Sequence, residues 1–211
     1  VLVARRFDER ATTVLGEADP KRVVYRSGAT AGDIIYVTGT LGDSALGLEV
    51  LLKNSLSRAI SGRYCAAVKR HLDPAPRLRA GEMLAKGGLA SAMMDISDGI
   101  GLDLERLCGQ SGVGAVVELG LLPVSDELER YASGSDETIT RLAIAGGEDY
   151  ELLFTSPEKN SGRIRHLAKK LSIPITRIGH IVEPGRGCRR VVVIDRSGKT
   201  LRLDKTGFAH F

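Results

Sequence analysis

Apolar residues recur along this 211-residue chain in two alternating rhythms. Short runs rich in β-branched residues read as strands, and runs with apolar positions three and four apart read as helices. ATTVLGE (11–17) and DIIYVTG (33–39) are strand-like. GDSALGLEVLLK (42–53) follows as a helix, with Leu41, Ala45, Leu48 and Leu52 at helical spacing. AISGRYCAAVKRHL (59–72) keeps that spacing until DPAP stops it. RLRAGEMLAKGG (77–88) is a third helix, closed by Gly87 and Gly88. LASAMMD (89–95) reads as a strand, GIGLDLERLCGQ (99–110) as a helix and GAVVEL (114–119) as a strand. DETITRLAIAGG (136–147) is helical, DYELLFT (149–155) a strand, and EKNSGRIRHLAKKL (158–171) a helix with a polar face. ITRIGHIVE (175–183), RRVVVID (189–195) and KTLRLD (199–204) close the chain as strands, with EPGRGCR as the turn between the first two.

This order predicts an α/β fold: a mixed β-sheet with flanking helices, mixed because the last strands are too closely connected to run parallel. No repeat, low-complexity stretch or linker divides the chain. Residues 11–211 read as one domain, preceded by a segment, 1–10, with no clear element.

Composition narrows the picture. With 43% hydrophobic and 27% charged residues, the chain reads as globular and able to bury a core without staples. The formal charge is only +4, and aromatics are 4% with no Trp, which argues against a stacking platform for nucleic acid. Cys65, Cys108 and Cys188 are far apart and form no CxxC pair. The first two lie in helical patterns and are expected as buried core thiols, which fits a reducing cytoplasm. No apolar run reaches the roughly 18 residues needed to span a membrane, and the first ten residues do not resemble a signal peptide.

Candidate chemistry centres on SAMMDISDGIGLDLERL (91–107). Here an apolar strand ends at Asp95, where open α/β sheets gather their ligands. Asp95 and Asp98 could hold Mg²⁺ against a phosphate, since this ion takes one or two carboxylates plus phosphates and water. Ser97 could donate to a phosphate. The competing reading is that Ser97 or Asp98 merely caps the next helix. In AGGEDYELLF (145–154), Glu148 and Asp149 follow a double glycine. They are either solvated turn acids or a grip for a cationic or hydroxyl-bearing ligand. Arg26 could pair with a phosphate or be a surface arginine, and Asp43 and Ser44 could cap a helix. His71, near two prolines, reads as a structural side chain, and Arg77 as an anion contact or a helix N-terminal residue. There is no P-loop, GxGxxG, HExxH or GxSxG motif.

Taken together, RSGATAGDIIYVTGTLGDSALGL, RHLDPAPRLRAG, AMMDISDGIGLDL, AGGEDYELLFT, ITRIGHI and the terminal TGFAHF resemble the thiamine-monophosphate kinases of the AIR-synthase-like superfamily. The resemblance runs from about Ala11 to Phe211 and implies the fold of that superfamily's C-terminal domain. It implies transfer of the γ-phosphate of ATP to thiamine monophosphate with Mg²⁺. By the family pattern Asp95 and Asp98 bind Mg²⁺, Ser97 and Arg26 contact ATP, and Glu148 and Phe208 contact the thiamine moiety.

Ala209 stands where the family commonly has Asp. The family also has an N-terminal half with further metal-binding aspartates, so this chain is expected to supply one part of a site and to be weakly active or inactive alone. A homodimer is expected for the full-length enzyme, with no nucleic acid or membrane partner. The alternative is a non-catalytic remnant that binds a ligand or partner.

Overall fold

The computed structural model describes residues 17–20, 22–185 and 191–201. In chain order the elements are β1 (Ile34–Thr38), α1 (Asp43–Lys53), α2 (Leu56–Ser61), α3 (Cys65–Leu72), α4 (Leu78–Lys86), β2 (Ala92–Asp95) and α5 (Ile100–Ser111). Then come β3 (Gly114–Glu118), α6 (Asp126–Ala132), α7 (Asp136–Ile139), β4 (Leu152–Ser156), α8 (Ser161–Leu171), β5 (Ile175–Val182), β6 (Val191–Ile194) and β7 (Thr200–Leu201).

The strands form one sheet in the order β2-β4-β1-β5-β3-β6-β7. It is mixed: β3 and β6 run parallel, and the other neighbours are antiparallel. The expected mixture is present, and the closely connected β6 and β7 run antiparallel as expected. β5 and β6 are not hairpin partners, because β3 lies between them and pairs with both.

Both faces of the sheet are covered. Every residue of β1 is buried, and alternate side chains enter different cores. Ile35 and Val37 join the larger core with Leu46, Leu104 and Leu107. Ile34 and Tyr36 join a smaller one with Leu84 of α4, Phe154 of β4, and Ile164 and Leu167 of α8. Tyr36 and Phe154 stack with centroids 5.3 Å apart. Two-sided burial explains why IIYVT is a continuous apolar run rather than an alternating one.

Several expectations need correction. The helix expected over 59–72 is two helices, α2 and α3, broken at Gly62, whose backbone is extended. A Cβ there would lie 2.6 Å from the Arg58 carbonyl oxygen. Cys65 is exposed at the start of α3, whereas Cys108 is buried as expected. The strand expected from Asp149 starts only at Leu152, because Glu148 and Tyr150 have positive φ (66° and 50°). α6 has no counterpart in the periodicity; its mark is the cap Ser125, whose Oγ accepts from the Leu128 N–H at 3.1 Å. Residues 11–16 of the strand expected over 11–17, Cys188 and the second half of KTLRLD (202–204) lie outside the described residues.

Candidate active site

Two loops meet at the end of β2. The loop after β2 carries Ile96, Ser97, Asp98 and Gly99, and the loop before β4 carries residues 145–151. They are joined through backbone. The Glu148 N–H donates to the Ser97 carbonyl at 2.7 Å, the Tyr150 N–H to the Ile96 carbonyl at 2.9 Å, and the Ile96 N–H to the Glu151 carbonyl at 2.9 Å. The approach is too close for side chains. A Cβ at Gly147 would sit 2.6 Å from the Ser97 carbonyl oxygen, and one at Gly99 2.8 Å from that of Gly146. Gly147 and Gly99 are therefore needed for contact, not only for turning.

The first loop is held from below by Asp103. This buried carboxylate accepts the N–H groups of Ser97 and Asp98 through one oxygen, each at 2.9 Å. Burial pushes Asp103 above the usual carboxylate range, although those N–H groups and Arg106 pull it down. The N-cap position of α5 belongs to Gly99 (φ 101°, ψ 146°), so neither Ser97 nor Asp98 occupies it. The capping alternative is removed for both. Asp98 instead ion-pairs with Arg106, nearly two helical turns into α5, and Asp95 is exposed at the end of β2.

The two neighbouring acids of the second loop have opposite fates. Asp149 is buried and caps α1 from across the chain, accepting from the Gly42 N–H at 2.8 Å and the Ser44 N–H at 3.2 Å. Burial pushes it up to about 7, with the nearby Asp43 adding to the rise against these two N–H groups. Asp43 and Ser44 therefore do not cap α1; they are held within its first turn. Glu148 points outward, its side chain 38% exposed, with Oε2 3.4 Å from His71 Nδ1. The alternating left-handed φ at residues 148 and 150 separates them, turning one carboxylate in and the other out.

Beneath them lies a charged keystone. Glu151 is 1% exposed and accepts from Thr38 Oγ1 at 2.6 Å, Arg70 at 2.6 Å and both forks of Arg77 at 2.6 and 2.5 Å. Burial pushes this carboxyl up, but Arg77 and Thr38 outweigh it, and the net shift is downward. Arg77 thus spends its fork on an internal carboxylate, joining α4 to the second loop.

Tyr150 is the residue at this surface that sequence reasoning missed. It is 38% exposed. Its hydroxyl is pushed up by partial burial and then by the negative charges of Glu148, Asp95 and Asp98. Its signal was an aromatic set between acids in a glycine-led turn.

The structure thus brings Ser97, Asp98 and Glu148 together, with Asp95 at the head of the same loop. Arg26 lies beside β2: the carbonyl of its neighbour Tyr25 accepts from the Met93 N–H at 2.9 Å, two residues before Asp95, and its own carbonyl accepts from Ser111 Oγ at 3.4 Å. Phe208 lies outside the described residues.

Sheet order, two-faced core and paired acidic loops define a recognisable class. The chain belongs to the AIR synthase related protein, C-terminal domain family, which matches residues 30–192. Within that family, it is 42% identical over 190 residues to the thiamine-monophosphate kinase of Escherichia coli K12, covering 90% of this chain and 56% of that protein. Among solved structures, a thiamine-monophosphate kinase from Stenotrophomonas maltophilia K279a superposes with a TM-score of 0.72 at 34% identity, covering 84% of this chain and 54% of that one. AaThiL complexed with AMPPCP and TMP superposes with a TM-score of 0.70 at 34% identity, covering 89% and 54%. The chain spans about half the length of the curated relatives it matches.

Proposed function

We propose that this chain supplies one wall of a phosphotransferase site that moves the γ-phosphate of ATP to thiamine monophosphate. The observation that carries the reading is the backbone interlock at Glu148 and Ser97. It gathers Asp95, Ser97, Asp98, Glu148 and Tyr150 on one acidic surface. The likeness to thiamine-monophosphate kinases over nine-tenths of the chain supports it.

Each residue has a distinct task. Glu148 and the Tyr150 ring offer a carboxylate and an aromatic face to the cationic thiazolium. The Ser97 hydroxyl is a donor for a nucleotide phosphate oxygen. Arg26 acts on the nucleotide phosphates, and Phe208 against the thiamine. No side chain has to act as a strong base, because the accepting phosphate is already anionic. Positioning and charge neutralisation carry such a transfer.

Mg²⁺ fits this donor set as a shared ligand. Among the described residues no group of three or more His, Cys, Asp or Glu side chains is gathered as a metal cage. Mg²⁺ does not need one, since it binds one or two carboxylates and completes its shell with phosphates and water. Asp95 and Asp98 would hold it, with Asp98 loosening its pair with Arg106. When bound, the ion would neutralise phosphate charge.

Calorimetric titration of the chain tests the reading. Thiamine monophosphate should bind, and more weakly to Glu148→Gln. Mg²⁺–ATP should bind more weakly to Asp95→Asn and Asp98→Asn. Turnover by the chain alone should be slight. Absence of binding by any thiamine phosphate would overturn the assignment.

A further inference from the structure

We propose that His71 is a positioning residue for Glu148, fixing the carboxylate through its Nδ1–H and anchoring it to the first turn of α1. The inference rests on the reading of Glu148 as the contact for a cationic substrate, and it adds a residue to that site.

The geometry is a short relay. His71 Nδ1 lies 2.9 Å from Ser44 Oγ and 3.4 Å from Glu148 Oε2. An ionised carboxylate only accepts hydrogen bonds. A favourable contact with Glu148 therefore requires the proton on Nδ1, and Ser44 Oγ then shares it as an acceptor. Ser44 is itself fixed: it is 1% exposed, and its N–H is held by Asp149 at 3.2 Å. The histidine is brought in by close helix packing. A Cβ on Gly47 of α1 would meet the Ala67 carbonyl oxygen of α3 at 2.3 Å and His71 Cβ at 3.0 Å. Only a glycine at position 47 lets α3 approach closely enough.

Glu148 needs such a tether. Its backbone sits at φ 66°, its side chain is 38% exposed, and a free glutamate would lose rotamer entropy on gripping a ligand. Holding the carboxylate in advance removes part of that loss. His71 reaches Glu148 from another element, as outer-shell partners of binding groups do.

The first arm of the test needs no ligand. Long-range ¹H–¹⁵N spectra of the chain near pH 9, where imidazole is neutral, should show the His71 ring protonated at Nδ1. The ring ¹⁵N signals should move in Glu148→Ala. A bare Nδ1, or signals unchanged in that variant, overturns the contact.

The second arm is calorimetry with thiamine monophosphate, with a thermal melt of each variant. His71→Ala should weaken binding by up to roughly tenfold, the upper end of what ordering one flexible side chain costs on binding, and leave Mg²⁺–ATP binding unchanged. His71→Asn, whose amide nitrogen replaces Nδ1, should restore most of the affinity, and His71→Gln should not. Equal affinity in His71→Ala and the parent chain, with Glu148→Ala impaired, overturns the positioning role. If thiamine monophosphate binds none of them, the substrate reading of Glu148 fails, and the spectra decide His71 on their own.

Discussion

The Glu148 N–H donates to the Ser97 carbonyl at 2.7 Å, a bond between two segments about fifty residues apart that holds two acid-bearing loops in one surface. Neither side chain takes part. The bond needs Gly147 in contact with the Ser97 carbonyl oxygen, where a Cβ would come within 2.6 Å.

That contact sets the first prediction. Gly147→Ala and Gly99→Ala should each destabilise the chain by roughly 2–3 kcal/mol, because backbone cannot move aside as a side-chain tip can. Gly162→Ala in α8 is the control: nothing lies within 4 Å of the new Cβ. It should be neutral or stabilising by up to about 1 kcal/mol. Urea denaturation of the three variants checks the difference.

The buried Glu151 gives the second. Arg77→Ala or Arg77→Lys removes a bidentate partner from a 1% exposed carboxylate. Breaking one side of such a pair costs about 3–5 kcal/mol, and lysine cannot reproduce the fork. The melting temperature should fall clearly for both, while Arg79→Ala, which lacks this contact, should melt close to the parent chain.

Asp149 sets the pH dependence of stability. Its folded value of about 7 lies above its ordinary value of 3.8 because it is buried. The folded state therefore binds more protons between these limits, and stability falls as pH rises from about 4 to 7. Asp103, raised mainly by burial as well, adds to this slope. Glu151 acts in the opposite sense: its value is lowered, so its stabilisation is present above 4.5 and is lost on acidification. Asp149→Asn should shallow the fall between pH 4 and 7 without abolishing it. Denaturant midpoints across that range measure the slope.

Tyr150 provides a binding prediction. If its ring faces the thiazolium cation, Tyr150→Phe should keep the affinity for thiamine monophosphate. Tyr150→Leu should lose about 0.5–2 kcal/mol, the range of a cation–π contact. Calorimetry of the two variants side by side distinguishes the π-face from simple apolar bulk.

Much of this protein was legible in the chain itself. The continuous apolar run IIYVT announced a buried strand, and helical spacing marked α1, α4, α5 and α8. Asp95, Ser97, Asp98 and Glu148 stood out because acids beside glycines follow or precede apolar strands. Local rules could express these features because propensity, periodicity and turn chemistry act over a few residues.

The rest depended on partners remote in sequence. Only the folded chain shows that Asp149 is an internal cap for α1 while its neighbour Glu148 faces outward. Only the fold brings His71, expected as a structural side chain in a rigid turn, to Ser44 and Glu148, and gives Arg77 an internal carboxylate rather than an outside anion. It also inserts β3 between β5 and β6. Identity and spacing determined which residues could do chemistry. Burial, strand order and glycine-sized gaps between distant backbones decided which of them met, because those depend on how separate elements pack rather than on any one element's own sequence.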